Sequence, residues 1–208
     1  MMIYDITPPI TGALAVWPGD TPPSREVLLD LAKGDNITLS TLQATVHLGA
    51  HADGPNHYGI DAQGIGEQAL DVYVGPCQVI HVEVKRGTRI EPSQIVASIE
   101  AERVLLGTGS YPDPTKFNED FAGLSPALVD DLHEKGVKLV GIDTPSVDLF
   151  ESKDLPAHKR FLAHDMAILE GIVLKDVPAG MYELIALPLK LMGFDASPVR
   201  AILRDGPQ

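Results

Sequence analysis

The sequence predicts a mixed α/β, strand-rich fold, with residues 1–208 forming a single domain. Three observations carry that prediction. Short apolar runs recur along the chain, two segments between them carry helix signals, and proline (17) and glycine (19) are scattered rather than pooled into a linker. A chain of 208 residues, 44% hydrophobic and 22% charged, can bury a core without staples.

Taken in order, the first forty residues read as loop-rich. Trp17-Pro-Gly-Asp20 followed by Thr21-Pro-Pro23 spells consecutive turns. Thr41 to Ala52 alternates apolar and polar residues, the period of a half-buried strand. Val79–Val84, Arg103–Gly107 and Lys138–Ile142 read as further strands. Ser125-Pro126 opens a helix that Gly136 closes, by N-cap, first-turn proline and terminal glycine. Pro156 to about Ala163 reads as a second short helix. Tyr182–Leu191 and Val199–Leu203 read as strands, the first weakened by Pro188.

Sixteen basic against 29 acidic residues give a net charge of −13. Such a chain repels phosphate backbones and anionic lipid, which argues against nucleic-acid and membrane partners. One cysteine, Cys77, excludes an intrachain disulfide and any zinc site built on two cysteines of one chain. The N-terminus has no basic segment and no apolar run is long enough to span a bilayer, so a cytoplasmic location is expected.

Seven histidines spread evenly would put fewer than one in any 11-residue window, yet His47 to His57 holds three, with Asp53 beside them. On a strand, His47, His51 and Asp53 share one face. Gly49 lies between the first two and would leave space for an ion. Imidazole and carboxylate suit zinc, manganese or iron. Asp53-Gly54-Pro55 should end the strand, so His57 returns from a loop. Spacing alone leaves His57 as either a fourth ligand or a proton carrier. Glu170 sits between two apolar runs and is expected to be buried, where a charge needs a partner or a metal. His158 reads by itself as an ordinary helix histidine. Trp17, the only tryptophan, is divided between loop packing and an aromatic wall for a planar ligand.

The pattern His47-x-Gly49-x-His51-x-Asp53-x-Pro55-x-His57 resembles the signature of the metal-dependent cyclase superfamily. Within it, the chain is similar to the bacterial kynurenine formamidase branch over nearly its whole length. Trp17 to Asp20, Gly141 to Asp148, His158, Glu170 and Asp195 to Arg200 also contribute to the resemblance. The resemblance implies a cyclase-like (swivelling β/β/α) fold and two zinc ions per subunit, with manganese or iron as alternatives. His47, His51 and Asp53 would hold the first ion. Asp53 and Glu170 would serve both, and His158 the second. His57 would move protons and Trp17 would line the substrate pocket. The implied reaction is hydrolysis of N-formyl-L-kynurenine to L-kynurenine and formate, a step of tryptophan catabolism. The implied assembly is a homodimer. Alternatives are a related amide, cyclic imide or lactone hydrolase, or a metal-binding module without catalysis.

Overall fold

Alternation within the short apolar runs decides the layers, because neighbouring side chains of a strand point to opposite faces. In the computed structural model, which describes residues 2–205, these runs become thirteen strands among the described residues. They are β1 (Ile3–Asp5), β2 (Ser24–Leu29), β3 (Leu39–Gln43), β4 (His51–Asp53), β5 (Val74–His81), β6 (Arg89–Ile90) and β7 (Arg103–Gly107). They continue with β8 (Gly123–Leu124), β9 (Leu139–Ile142), β10 (Ala167–Glu170), β11 (Gly180–Ile185), β12 (Ala196–Pro198) and β13 (Ile202–Asp205). Two α-helices join them, α1 (Pro126–Glu134) and α2 (Pro156–Ala163).

Nine strands form one sheet in the order β1-β13-β11-β5-β7-β9-β10-β4-β12. Its centre, β5-β7-β9-β10, is parallel, and both flanks are antiparallel. Val104 and Leu106 of β7, Val140 and Ile142 of β9 and Ile168 of β10 face α1 and α2. They pack with Leu128, Val129 and Leu132 of α1 and Phe161 of α2. Leu105, Leu139 and Leu169 face the other way, into a second core with Val79, Leu184 and Leu203. Cys77 is buried there as a packed side chain. No helix among the described residues is long and apolar enough to cross a membrane.

The helix signals place both helices. The Ser125 hydroxyl accepts the Leu128 N–H at 3.1 Å, and Gly136 takes the left-handed conformation (φ +84°) after the last turn. Other expectations need correction. Thr41 to Ala52 is not one strand. β3 ends at Gln43, and β4 starts only at His51. Between them the Thr45 N–H bonds Thr21 O and the His47 N–H bonds the Thr45 hydroxyl, so the backbone leaves the ladder. The apolar alternation there records burial of Leu48, Ala50 and Ala52, not a continuous strand. The loop-rich opening hides the β2–β3 hairpin, whose pattern is blurred by exposure on both faces. Val79–Val84 shifts back to β5. The strand read from Tyr182 stops at Ile185, before Pro188, and that read from Val199 starts only at Ile202.

One close approach fixes the sheet beside β4. The Gly171 φ is +65°, and a Cβ there would lie 2.1 Å from Gly49 O. Gly171→Ala should therefore cost about 2–4 kcal/mol in urea unfolding. Gly136→Ala has the same handedness but nothing within 4 Å, and should cost about 1 kcal/mol. Equal costs would show that conformation alone, without the collision, sets the requirement for glycine.

Candidate metal centre

β10 and β4 pair antiparallel with Glu170 opposite His51, which brings the ends of two distant segments together. Asp53 ends β4, and His158 sits in the first turn of α2. His51, Asp53, His158 and Glu170 are all at most 3% exposed. His47 is half-buried beside them, and His57 closes the short turn Pro55–His57 at the mouth.

The ring nitrogens sort themselves by hydrogen bonding. His51 Nδ1 donates to Gly49 O at 2.8 Å. His158 Nδ1 donates to Asp148 Oδ2 at 2.8 Å. His47 Nε2 donates to Asp195 Oδ2 at 3.0 Å. Each ring then turns its other nitrogen inward. His51 Nε2 lies 3.2 Å from Glu170 Oε2 and 3.5 Å from Asp53 Oδ1. His47 Nδ1 lies 3.2 Å from Asp53 Oδ1. His158 Nε2 lies 3.6 Å from Asp53 Oδ2 and 3.8 Å from Glu170 Oε1. A neutral imidazole whose proton is committed outward offers only a lone pair inward. Three lone pairs facing two carboxylates repel one another unless cations or protons lie between them.

The buried atoms agree. His51 Nε2 and both Asp53 carboxylate oxygens have no hydrogen-bond partner. Orphans of this kind are costly in a dry interior, and a divalent cation satisfies all of them at once. The donor set of imidazole nitrogen and carboxylate oxygen suits zinc, manganese or iron. Ligand atoms of His47, His51 and Asp53 lie within 4.8 Å of one another, as do those of Asp53, His57 and His158. The residues present therefore fit a metal ion.

Without an ion, protons take its place. Burial alone would depress His47, but Asp53 and Asp195 outweigh it and lift its pKa to about 9. Burial opposes His158 too, yet Asp148 and Asp53 raise it to about 10. Asp53 is held well below the usual carboxylate range, because His158 and His47 overcome its burial. His57 is pushed down, chiefly by burial.

Most sequence-derived positions converge: His47, His51, Asp53, His57, His158 and Glu170 meet at one place. All except Asp53 line a cavity of about 710 Å³. Trp17 lines the same cavity with Tyr111 and Phe117, and it packs edge-on against Phe117 at 5.5 Å. Packing and lining are thus both true of it. The reading of Gly49 as open space is wrong. Its φ is +57°, and a Cβ there would meet Pro8 Cγ at 3.1 Å. Its contribution is the carbonyl that orients His51.

Sequence reasoning gave no role to Asp148. It is fully buried and accepts the Ala157 and His158 N–H groups, His158 Nδ1 and Arg89 Nη1. One carboxylate thus fixes both the start of α2 and the ring of His158. The signal available was an acidic residue ten positions before the histidine, too long a spacing to read locally. Asp148→Asn should weaken metal affinity about 10- to 100-fold in chelator competition. An unchanged affinity would limit Asp148 to the helix. Metal uptake near pH 7 should release about two protons, from His47 and His158. Affinity should then rise as pH approaches 9. Calorimetry in buffers of differing ionisation enthalpy reads the number, and no release would contradict the protonated state.

The chain is similar to known proteins over its whole length. A model of the Cyclase family matches residues 4–149. A solved potential metal-dependent hydrolase with cyclase activity aligns at 28% identity and TM-score 0.86, over 100% of this chain and 99% of that one. A predicted metal-dependent hydrolase from Bacillus stearothermophilus aligns at 30% identity and TM-score 0.81, over 97% of both chains. Isatin hydrolase A from Labrenzia aggregata shares the fold, at 21% identity and TM-score 0.85, over 99% of this chain and 94% of that one. With its family signature spread over most of its length, the chain belongs to the Cyclase family.

Proposed function

We propose that the chain hydrolyses the formamide of N-formyl-L-kynurenine, releasing L-kynurenine and formate, at a two-ion centre held by His47, His51, Asp53, His158 and Glu170. The observation that carries this reading is the set of partnerless buried atoms, His51 Nε2 and the Asp53 oxygens, beside a cavity with aromatic lining. Divalent ions at that place supply Lewis acidity and make water acidic enough to attack at neutral pH.

The chain's own residues do the rest. Asp53 and Glu170 carry the negative charge that holds the ions. Trp17 and Phe117 present apolar faces and edges to the aryl ring of the substrate. His57, 34% exposed at the side chain, stands between the buried cluster and the open cavity. Water adds through its oxygen to the formyl carbon, and the carbon–nitrogen bond breaks. His57 takes the proton that water gives up and hands it to the departing aryl amine. A purely structural metal site would have no use for such a group at its mouth.

The isatin hydrolases of similar fold favour a second reading. Isatin is a cyclic amide of an aniline, so an open-chain anilide and a cyclic one present related groups to the same centre. Metal-free protein should be inactive, and about two equivalents of zinc should restore kcat/KM on N-formyl-L-kynurenine above about 10⁴ M⁻¹s⁻¹. Restored turnover of isatin alone would select the cyclic substrate. Metal uptake without turnover of any amide, imide or lactone would leave a binding module.

His57→Ala should keep its metal and lose at least about 100-fold in kcat. Loss of the metal would make His57 a ligand. Trp17→Ala should lower kcat/KM about tenfold with metal content intact.

We further infer a homodimer. The β2–β3 hairpin exposes Val27, Leu28, Leu39 and Leu42, and an isolated two-stranded hairpin is marginal in water. Light scattering should give about twice the chain mass. A monomer at micromolar concentration would remove this proposal.

A further inference from the structure

We propose that Asp195 is a positioning residue that couples the metal ligand His47 to the proton carrier His57. The inference rests on the role of His57 in the proposed reaction, and the experiments below separate the two.

Asp195 is held in place by its backbone. It precedes β12, where Ala196 pairs with Asp53, and its carbonyl accepts the Gly54 N–H at 2.8 Å. The carboxylate is therefore tied to the strand that carries Asp53. Its Oδ2 accepts His47 Nε2 at 3.0 Å and lies 3.7 Å from His57 Nδ1. The His47 and His57 rings stand 4.3 Å apart, centroid to centroid. A carboxylate has about four acceptor positions, so holding His47 leaves room for His57. A gap of 3.7 Å is too long for a hydrogen bond but closes with a small rotation of the exposed ring, as catalytic contacts often tighten when substrate binds.

Two consequences follow for the chemistry. By accepting from Nε2, Asp195 keeps His47 Nδ1 free to face Asp53. By accepting from His57 Nδ1, it leaves His57 Nε2 as the atom that exchanges protons with the substrate. The third group at a nucleophile–base pair commonly plays this orienting part.

The same three residues have ligand atoms close enough to hold an ion themselves. His47 argues against it. Serving an inner ion through Nδ1 and an outer one through Nε2 would cost the ring both its protons. The hydrogen-bond acceptor is the simpler role.

Asp195→Ala, alone and in a His57→Ala background, tests the proposal on zinc-loaded protein. Alone, it should lower kcat for N-formyl-L-kynurenine about 10- to 100-fold. KM should stay within about twofold and the metal should be retained. In the His57→Ala background it should change kcat less than about threefold, since His57 is already gone and the bound metal itself keeps His47 in place. Equal losses in both backgrounds, or no loss in either, would overturn the proposal. Zinc excess that inhibits the wild type but not Asp195→Ala would overturn it too, by assigning the three groups to an outer ion. A readout without turnover is the ¹⁵N spectrum of His57. The wild type should favour the Nδ1–H tautomer, and Asp195→Ala should lose that preference. An unchanged tautomer would overturn the proposal. If the wild type does not turn over N-formyl-L-kynurenine, the substrate assignment fails while the ring signals still decide the part of Asp195.

Discussion

Two buried carboxylates facing three inward-turned imidazole nitrogens set the terms for the rest of this structure. Asp53 is 2% exposed, and its oxygens go without a hydrogen-bond donor while the facing imidazole nitrogens are unprotonated. An ionised carboxylate in so dry a place is tolerated only with compensation. In the metal-free chain, protons on His47 and His158 provide it, which is why both are raised far above an ordinary histidine. A divalent ion would provide it without protons. Either form compensates the buried carboxylates.

The fold is arranged to deliver these groups. The parallel strands β9 and β10 end side by side, and Glu170 is the last residue of β10. At β10 the sheet changes from parallel to antiparallel pairing, and β4 enters on the far side with His51 and Asp53. Open sheets commonly place their sites at the carboxyl ends of strands where the topology switches. The outer acceptors complete the design: Gly49 O, Asp148 and Asp195 each take one ring proton, so all three rings are oriented before any ion arrives. The close crossing of Gly171 and Gly49 supports the first of these, by pressing the carbonyl of Gly49 against the end of β10.

How much of this the sequence could disclose depends on distance along the chain. His47, His51, Asp53 and His57 fall within eleven residues, so their clustering was visible directly. Strand parity groups residues that do lie together, but by a wrong route. Only His51–Asp53 is a strand, and His47 reaches the site through an irregular segment stabilised by the Thr45 hydroxyl. His158 carries no local signal and Glu170 only that of a charge between two apolar runs, because the pairing of β4 with β10 and the docking of α2 are what bring them in. Family resemblance supplied them instead. Asp148 and Asp195 lie within the stretches that carry the family resemblance, but an orienting hydrogen bond leaves no periodicity to read. The helices were legible because caps and terminal glycines are local chemistry. The β2–β3 hairpin was not, since it lacks a buried face.

The Asp53–Glu170 cluster is built for metal. Anomalous diffraction at the zinc absorption edge, on crystals of zinc-loaded protein, addresses it most directly. Strong peaks are expected within coordination distance of His51 Nε2 and the Asp53 carboxylate, at about 2.0–2.2 Å. No peak there, or zinc held only at the mouth between His47, His57 and Asp195, would contradict it.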